Sequence, residues 1–162
     1  MIRPLHPEAD RARVDALLQA AAEYIQLERD EDPGPAVTDE FFTDAPPGQN
    51  PADSHRLGLF RDDHLIAIAE MAFNYPEPGD AFVGLMIVIP TARGTGAGQI
   101  LLRQLETIAR ANGAARIYLA VLDANPRGRA FWERQGFTLA LADRPVTLGQ
   151  KTQIAHRLVK QL

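Results

Sequence analysis

The spacing of apolar residues along the chain switches from helical to alternating and back again. Val14, Leu17, Leu18, Ala21 and Ile25 fall on one face at helical spacing and predict an amphipathic helix. Pro7 suits its first position, with Glu8 and Asp10 in the first turn, where the helix dipole favours negative charge. This helix is expected to stop before Asp30-Glu31-Asp32-Pro33-Gly34-Pro35. A short second helix then starts at a capping Thr38 and carries Phe41 and Phe42. Residues 44–51 hold three prolines and a glycine and read as loop. The pattern next shortens to strands over 56–61 and 65–73, paired as a hairpin across Asp62-Asp63, and to an apolar strand over 81–89 that Pro90 stops. Leu101, Leu105 and Ile108, with Leu102 and Ala109 beside them, restore the helical period up to Asn112-Gly113. A short strand over 117–122, a short helix over 128–134 ended by Gly136, and closing strands over 137–142 and 153–159 complete the order. Together they predict a mixed α/β fold with a largely antiparallel sheet and one parallel crossover near its middle.

A length of 162 residues fits one domain, taken as residues 1–162, with a proper core. The 46% hydrophobic and 23% charged content is ordinary for a soluble protein. With a net charge of −4 and both signs mixed along the chain, a nucleic-acid partner is not expected. The absence of cysteine excludes disulfides, thiolate nucleophiles and cysteine-ligated metals. His6, His55, His64 and His156 are scattered without ligand spacing, so no metal is expected. No apolar stretch follows Met1-Ile2-Arg3-Pro4-Leu5 and none approaches a membrane span, which leads us to expect a cytoplasmic protein with no membrane partner.

The chemistry concentrates between the strand over 81–89 and the following helix. Four residues after Pro90, Gly94-Thr95-Gly96-Ala97-Gly98 run straight into the amphipathic helix. Alternating glycines let backbone amides converge with no side chains in front of them, and the positive end of the helix dipole points at the same spot. The result is a phosphate cradle, with Arg93 at its rim. A P-loop would need Gly-Lys followed by Ser or Thr, which is missing. A dinucleotide fingerprint would need glycine where Gln99 stands, although Asp123 imitates its ribose-binding acid.

Arg93, Gly96 and Gly98 after a strand that ends Leu85-Met86-Ile87-Val88-Ile89-Pro90 match the first signature of the GNAT superfamily of acyl-CoA-dependent N-acyltransferases. Downstream, Asn125 followed by Phe131-Trp132-Glu133-Arg134-Gln135-Gly136-Phe137 resembles its second signature. The resemblance covers about residues 56–142. It implies a six- to seven-stranded, largely antiparallel sheet flanked by helices, with two splayed central parallel strands. It also implies acetyl-CoA as cosubstrate, an amine as acceptor, N-acetyltransferase activity and a homodimer. Carried onto this chain, the pantetheine arm lies along Met86 and Val88, and the pyrophosphate sits on the amides of Arg93, Gly94, Thr95, Gly96, Ala97 and Gly98. Asn125 contacts the cosubstrate, and Phe131 and Trp132 wall the thioester, while Phe137 packs in the core.

One departure bears on mechanism. Trp132 occupies the position where the family often places a tyrosine acid beside the leaving sulfur, and indole does not exchange its proton at useful rates. Tyr118 on the neighbouring strand is a substitute. For the general base, Glu70 is the candidate, because it interrupts an otherwise apolar strand and a carboxylate there needs a reason. Tyr75, Asp80 and His55 are weaker candidates. Glu28-Arg29-Asp30-Glu31-Asp32 reads as a solvated acidic loop, and 44–54 as a lid over the acceptor. Two other readings compete with the enzyme: an acyl-CoA-binding module without turnover, motivated by Trp132, and a nucleotide-binding protein of another fold.

Overall fold

The computed structural model describes residues 1–162. One seven-stranded sheet runs in the order β1 (Ile2–Pro4), β2 (His55–Arg61), β3 (His64–Phe73), β4 (Asp80–Val88), β5 (Arg116–Leu122), β7 (Lys151–Gln161) and β6 (Thr138–Leu148). Every neighbouring pair is antiparallel except β4 and β5. A single parallel pair rules out the doubly wound sheet that a dinucleotide site requires. The mixed, largely antiparallel sheet expected from the sequence is the one formed.

β3 is buried on both faces from Leu65 to Ala72, so the sheet must be covered on both sides. Helix α4 (Ala97–Ala111) lays Leu101, Leu102, Leu105 and Ala109 on one face, against Ala67, Ala69 and Met71 of β3, and α5 (Pro126–Arg134) adds Trp132 there. Helices α1 (Arg11–Ala20), α2 (Ala22–Arg29) and α3 (Pro35–Thr43) cover Phe60, Leu65, Ile68 and Ile87 on the other face.

The first third differs from the sequence reading. The chain over 14–25 forms two helices, broken at Ala21, and the first begins at Arg11 rather than Pro7. Asp10 explains the late start: its buried carboxylate accepts from Arg3 and from the His6 amide, and this holds residues 7–10 in a turn. Thr38 does not cap α3. That helix opens at Pro35, whose fixed φ suits the first position, and the Thr38 hydroxyl instead donates to Asp15 across the α1 interface at 2.9 Å. Nor are Glu28 and Arg29 part of a solvated loop, because α2 runs through Arg29 and buries both. The closing hairpin is longer than expected, and β1 adds an edge strand too short to show periodicity.

Candidate active site

The centre of the sheet opens where its two parallel strands part. β4 pairs with β5 from Asp80↔Arg116 to Val83↔Leu119 and no further, whereas it stays paired with β3 as far as Val88. The β5-facing edge of residues 84–88, which includes Met86 and Val88, is thus left without a strand partner. A bulge sets the bend: Glu70 opposes Leu85 and Met71 opposes Val83, so Gly84 is the extra residue.

The glycine loop closes one end of this wedge. Gly94 and Gly96 have φ of 75° and 87°, left-handed values that other residues adopt only with strain, and the space beyond their α-carbons is open. The Thr95 hydroxyl donates to the Ala92 carbonyl at 2.5 Å and pins the loop. Helix α4 has no side-chain cap. The amides of Gly94, Thr95, Gly96, Ala97, Gly98 and Gln99 donate to no acceptor in the protein. Six consecutive free donors at a helix N-terminus make a strong anion cradle. The run starts one residue later than expected, since the Arg93 amide is taken by the Pro90 carbonyl. The Arg93 side chain bonds the Val88 carbonyl at 3.0 Å and pairs with Glu23 at 2.6 Å, tying the loop to β4 and α2.

Gly98 does a different job. A β-carbon there would press on the Phe131 ring at 3.2 Å and stand 3.6 Å from the Met86 methyl, so its bare α-carbon lets these two side chains meet at the wedge. Trp132 is only 8% exposed and packs edge-on between Phe131 and Phe137, more in the core than at the wall. Asn125 caps α5 through Gly128, which fixes the start of that helix beside the wedge.

On the face of α1–α3, Glu70 lies at the bulge. It is 7% exposed, and its carboxyl sits over Gly84, where any β-carbon would collide with Oε2. Oε1 has no hydrogen-bond partner, and neither does the buried Ser54 hydroxyl beside it. Burial raises the Glu70 carboxyl above the ordinary carboxylate range, opposed in part by the nearby Arg56 guanidinium. Arg56, opposite Glu70 on β2, donates to the carbonyls of Phe41, Asp44 and Pro51, and so holds the 44–54 loop against this corner. A buried carboxyl with a free oxygen over an exposed glycine can take a proton from a group placed above β4.

The other candidates lie elsewhere. Asp80 is buried at the opposite end of β4 and pairs with Arg116 at 3.0 Å. His55 packs edge-on against Phe73. Asp123 accepts from His156 at 2.8 Å. Tyr75 and Tyr118 reach the same sheet face as Glu70, Tyr75 against Phe82 and Tyr118 beside it in register. Sequence reasoning missed Arg56 and Tyr24, and it read Ser54 only as the end of a lid and Glu28 as part of a solvated loop. Tyr24 packs against the cluster under α1–α3, and burial raises both its phenol and the Glu28 carboxyl. Their four-residue spacing in a helix was legible, but nothing local said which face is covered.

No helix is long and apolar enough to cross a membrane. No cluster of three or more metal-ligating side chains is assembled.

Comparison with known proteins agrees with this geometry. The structure is similar to an acetyltransferase from Thermus thermophilus, with 24% identity, TM-score 0.76, and coverage of 100% of this chain and 96% of that one. It is likewise similar to a PaiA N-acetyltransferase from Thermoplasma acidophilum solved with coenzyme A, with 17% identity, TM-score 0.70, and coverage of 100% and 98%. At these identities the likeness concerns the fold. In sequence, 92 residues are 34% identical to a mycothiol acetyltransferase from Beutenbergia cavernae, covering 56% of this chain but only 31% of that longer relative. The profile of the acetyltransferase (GNAT) family matches residues 15–137, and the chain belongs to that family.

Proposed function

We propose that residues 1–162 act as a single N-acetyltransferase domain that moves the acetyl group of acetyl-CoA to a primary amine of a small molecule, amino-acid-like metabolite or peptide. The observation that carries this reading is the run of six free amides from Gly94 to Gln99, set beside the unpaired edge of β4. These donors suit a pyrophosphate, each charge-assisted bond contributing about 1.5–3 kcal/mol. Met86, Val88 and Phe131 would line the pantetheine, and Asn125 flanks it.

Bound acetyl-CoA supplies an electrophilic thioester carbonyl. This chain supplies the rest. Backbone amides at the free edge near Val88 polarise the carbonyl oxygen. Glu70 accepts a proton from the incoming ammonium directly or through a water beside Ser54. A lysine-like amine costs about 4.6 kcal/mol to deprotonate at pH 7, and one with pKa near 8 costs about 1.4. As the N–C bond forms and the C–S bond breaks, sulfur departs with a pKa near 8.5, a penalty of roughly 2 kcal/mol at pH 7 without any acid. Trp132 therefore does not prevent turnover.

The test is thiol release from acetyl-CoA across a panel of primary amines, with product mass measured. An N-acetylated amine gaining one acetyl group supports the assignment. Binding of acetyl-CoA with no turnover over a broad panel would leave only an acyl-CoA-binding module.

A further inference from the structure

One arginine on the acceptor side of the sheet has no counter-ion. Among the arginines that are buried or half-buried, Arg3, Arg11, Arg29, Arg116 and Arg129 pair with carboxylates, and Arg56 is met by three backbone carbonyls. Arg157 is the exception. Its only hydrogen bond goes to the Tyr75 hydroxyl, at 3.2 Å, and its guanidinium carbon lies 5.6 Å and 5.9 Å from the ring centres of Tyr75 and Phe82. Cation–π contact with the two rings places the guanidinium beside them, and the Tyr75 hydroxyl takes only one of its N–H groups.

Its position relative to Glu70 is informative. Arg157 opposes Ala120 on β5, one residue beyond the last β4–β5 pair, and so stands level with the splay. Gly84 and Ala120 floor the face between the two charged side chains, and both are exposed. Phe82, Tyr118 and Val159 beside them are half-buried, because α1–α3 cover only the far part of this face. Glu70 leans over Gly84, and Arg157 sits beside the Phe82 ring, so the two heads meet β4 at residues two apart along it. Two residues of strand span about 6.6 Å, which puts the heads on the order of 7–10 Å from each other. A molecule with its amine bonded to a carbon that bears a carboxylate fits this span. Two hydrogen bonds of about 2.8 Å and roughly 3.5 Å between its nitrogen and far oxygen add to about 9 Å.

We infer that the acceptor is an amine carrying a carboxylate one or two carbons away, an amino acid by chemical class, with its carboxylate held by Arg157 and its amine by Glu70. This rests on the acetyltransferase reading above and narrows it, since polyamines and peptide N-termini lack that carboxylate. The ammonium first gives one proton to Glu70, which releases it to solvent; the free amine then forms the N–C bond as the C–S bond breaks, and a second proton passes from nitrogen through solvent to the departing thiolate. The products are an N-acetyl amino acid and coenzyme A.

The experiment compares kcat/KM for amino acids with their amides and their decarboxylated amines, in the parent and in Arg157→Met and Arg157→Lys. Met keeps the stem over the rings and removes the charge; Lys keeps the charge but not the fork. The parent is expected to prefer the carboxylate-bearing member of each pair by about tenfold to a hundredfold, as a charge-assisted contact implies. Arg157→Met should bring that ratio close to one, mainly through KM, and Arg157→Lys should restore part of it. An equal ratio in parent and Arg157→Met, with amines still acetylated, would overturn the carboxylate assignment and leave the acetyltransferase reading intact. Parent protein that binds acetyl-CoA but acetylates neither member of any pair would defeat that reading, and this inference with it.

Discussion

Replacing Glu70 with Gln keeps the shape of the side chain and removes its ability to take a proton. The deprotonation cost sets a ceiling on what a base can contribute. For an amine of pKa 10.4 that ceiling is about 4.6 kcal/mol at pH 7, roughly two-thousandfold in rate, and for one of pKa 8 it is about 1.4 kcal/mol, or tenfold. General bases typically contribute about 10²–10⁴-fold, so the high-pKa amine should approach its ceiling. The expected outcome of Glu70→Gln is thus a loss of at least a hundredfold for the first amine and no more than about tenfold for the second. Stability should not fall, because burial already disfavours the charged Glu70 carboxylate. The assay is release of coenzyme A read with a thiol reagent, which the protein itself does not consume because it has no cysteine. The acid limb of the pH profile gives a second readout: kcat/KM in the parent should drop as pH falls through a pKa above the usual carboxylate range. Equal losses for both amines, with the acid limb unmoved, would remove Glu70 from proton transfer.

Gly84→Ala places a methyl group against Glu70 Oε2 and should lower kcat while leaving coenzyme A affinity, measured by calorimetry, little altered. Arg29→Met leaves buried Glu28 and half-exposed Glu40 without their cation. It should cost about 3 kcal/mol in chemical denaturation, the low end of the range for broken buried pairs. The Arg3 guanidinium and the His6 amide hold the Asp10 carboxyl at about 2 against an ordinary 3.8. A depressed pKa stabilises the fold above the ordinary value, and this is lost as pH falls through the depressed one. The stability gap between parent and Asp10→Asn should therefore be full at pH 7, shrink below about pH 4, and close near pH 2.

The middle of the chain was legible because its signals are local. Leu101, Leu102, Leu105 and Ala109 share one helical face, and Gly94 and Gly96 announce a turn that only glycine takes without strain. The N-terminal third was less so, because long-range contacts decide it. Arg3 pulling on Asp10 delays the first helix, and Asp15 captures the hydroxyl that would have capped the third. The glycine cradle needs one segment, whereas the acceptor face joins Glu70, Gly84, Ala120 and Arg157 from four strands. Glu70 stood out as a charge in an apolar strand. Arg157 shares its face of the strand Lys151–Gln161 with Lys151, Gln153 and Gln161, so it looks like part of a solvated face. Only the register of β7 on β5 and the splay beyond Val83 show what it faces.

The most direct test of the central claim is thermal denaturation with acetyl-CoA, coenzyme A and NAD, for the parent and for Gly96→Val. A ligand at a hundred times its dissociation constant stabilises the native state by about 2.7 kcal/mol, a shift of a few degrees for a chain of this size. The parent is expected to shift with both coenzyme A forms and not with NAD. The variant should lose most of that shift, since valine at a φ of 87° distorts the run of free amides. Absence of a shift with either coenzyme A form at millimolar concentration, or an undiminished shift in folded Gly96→Val, would contradict the assignment of the glycine loop as the pyrophosphate cradle.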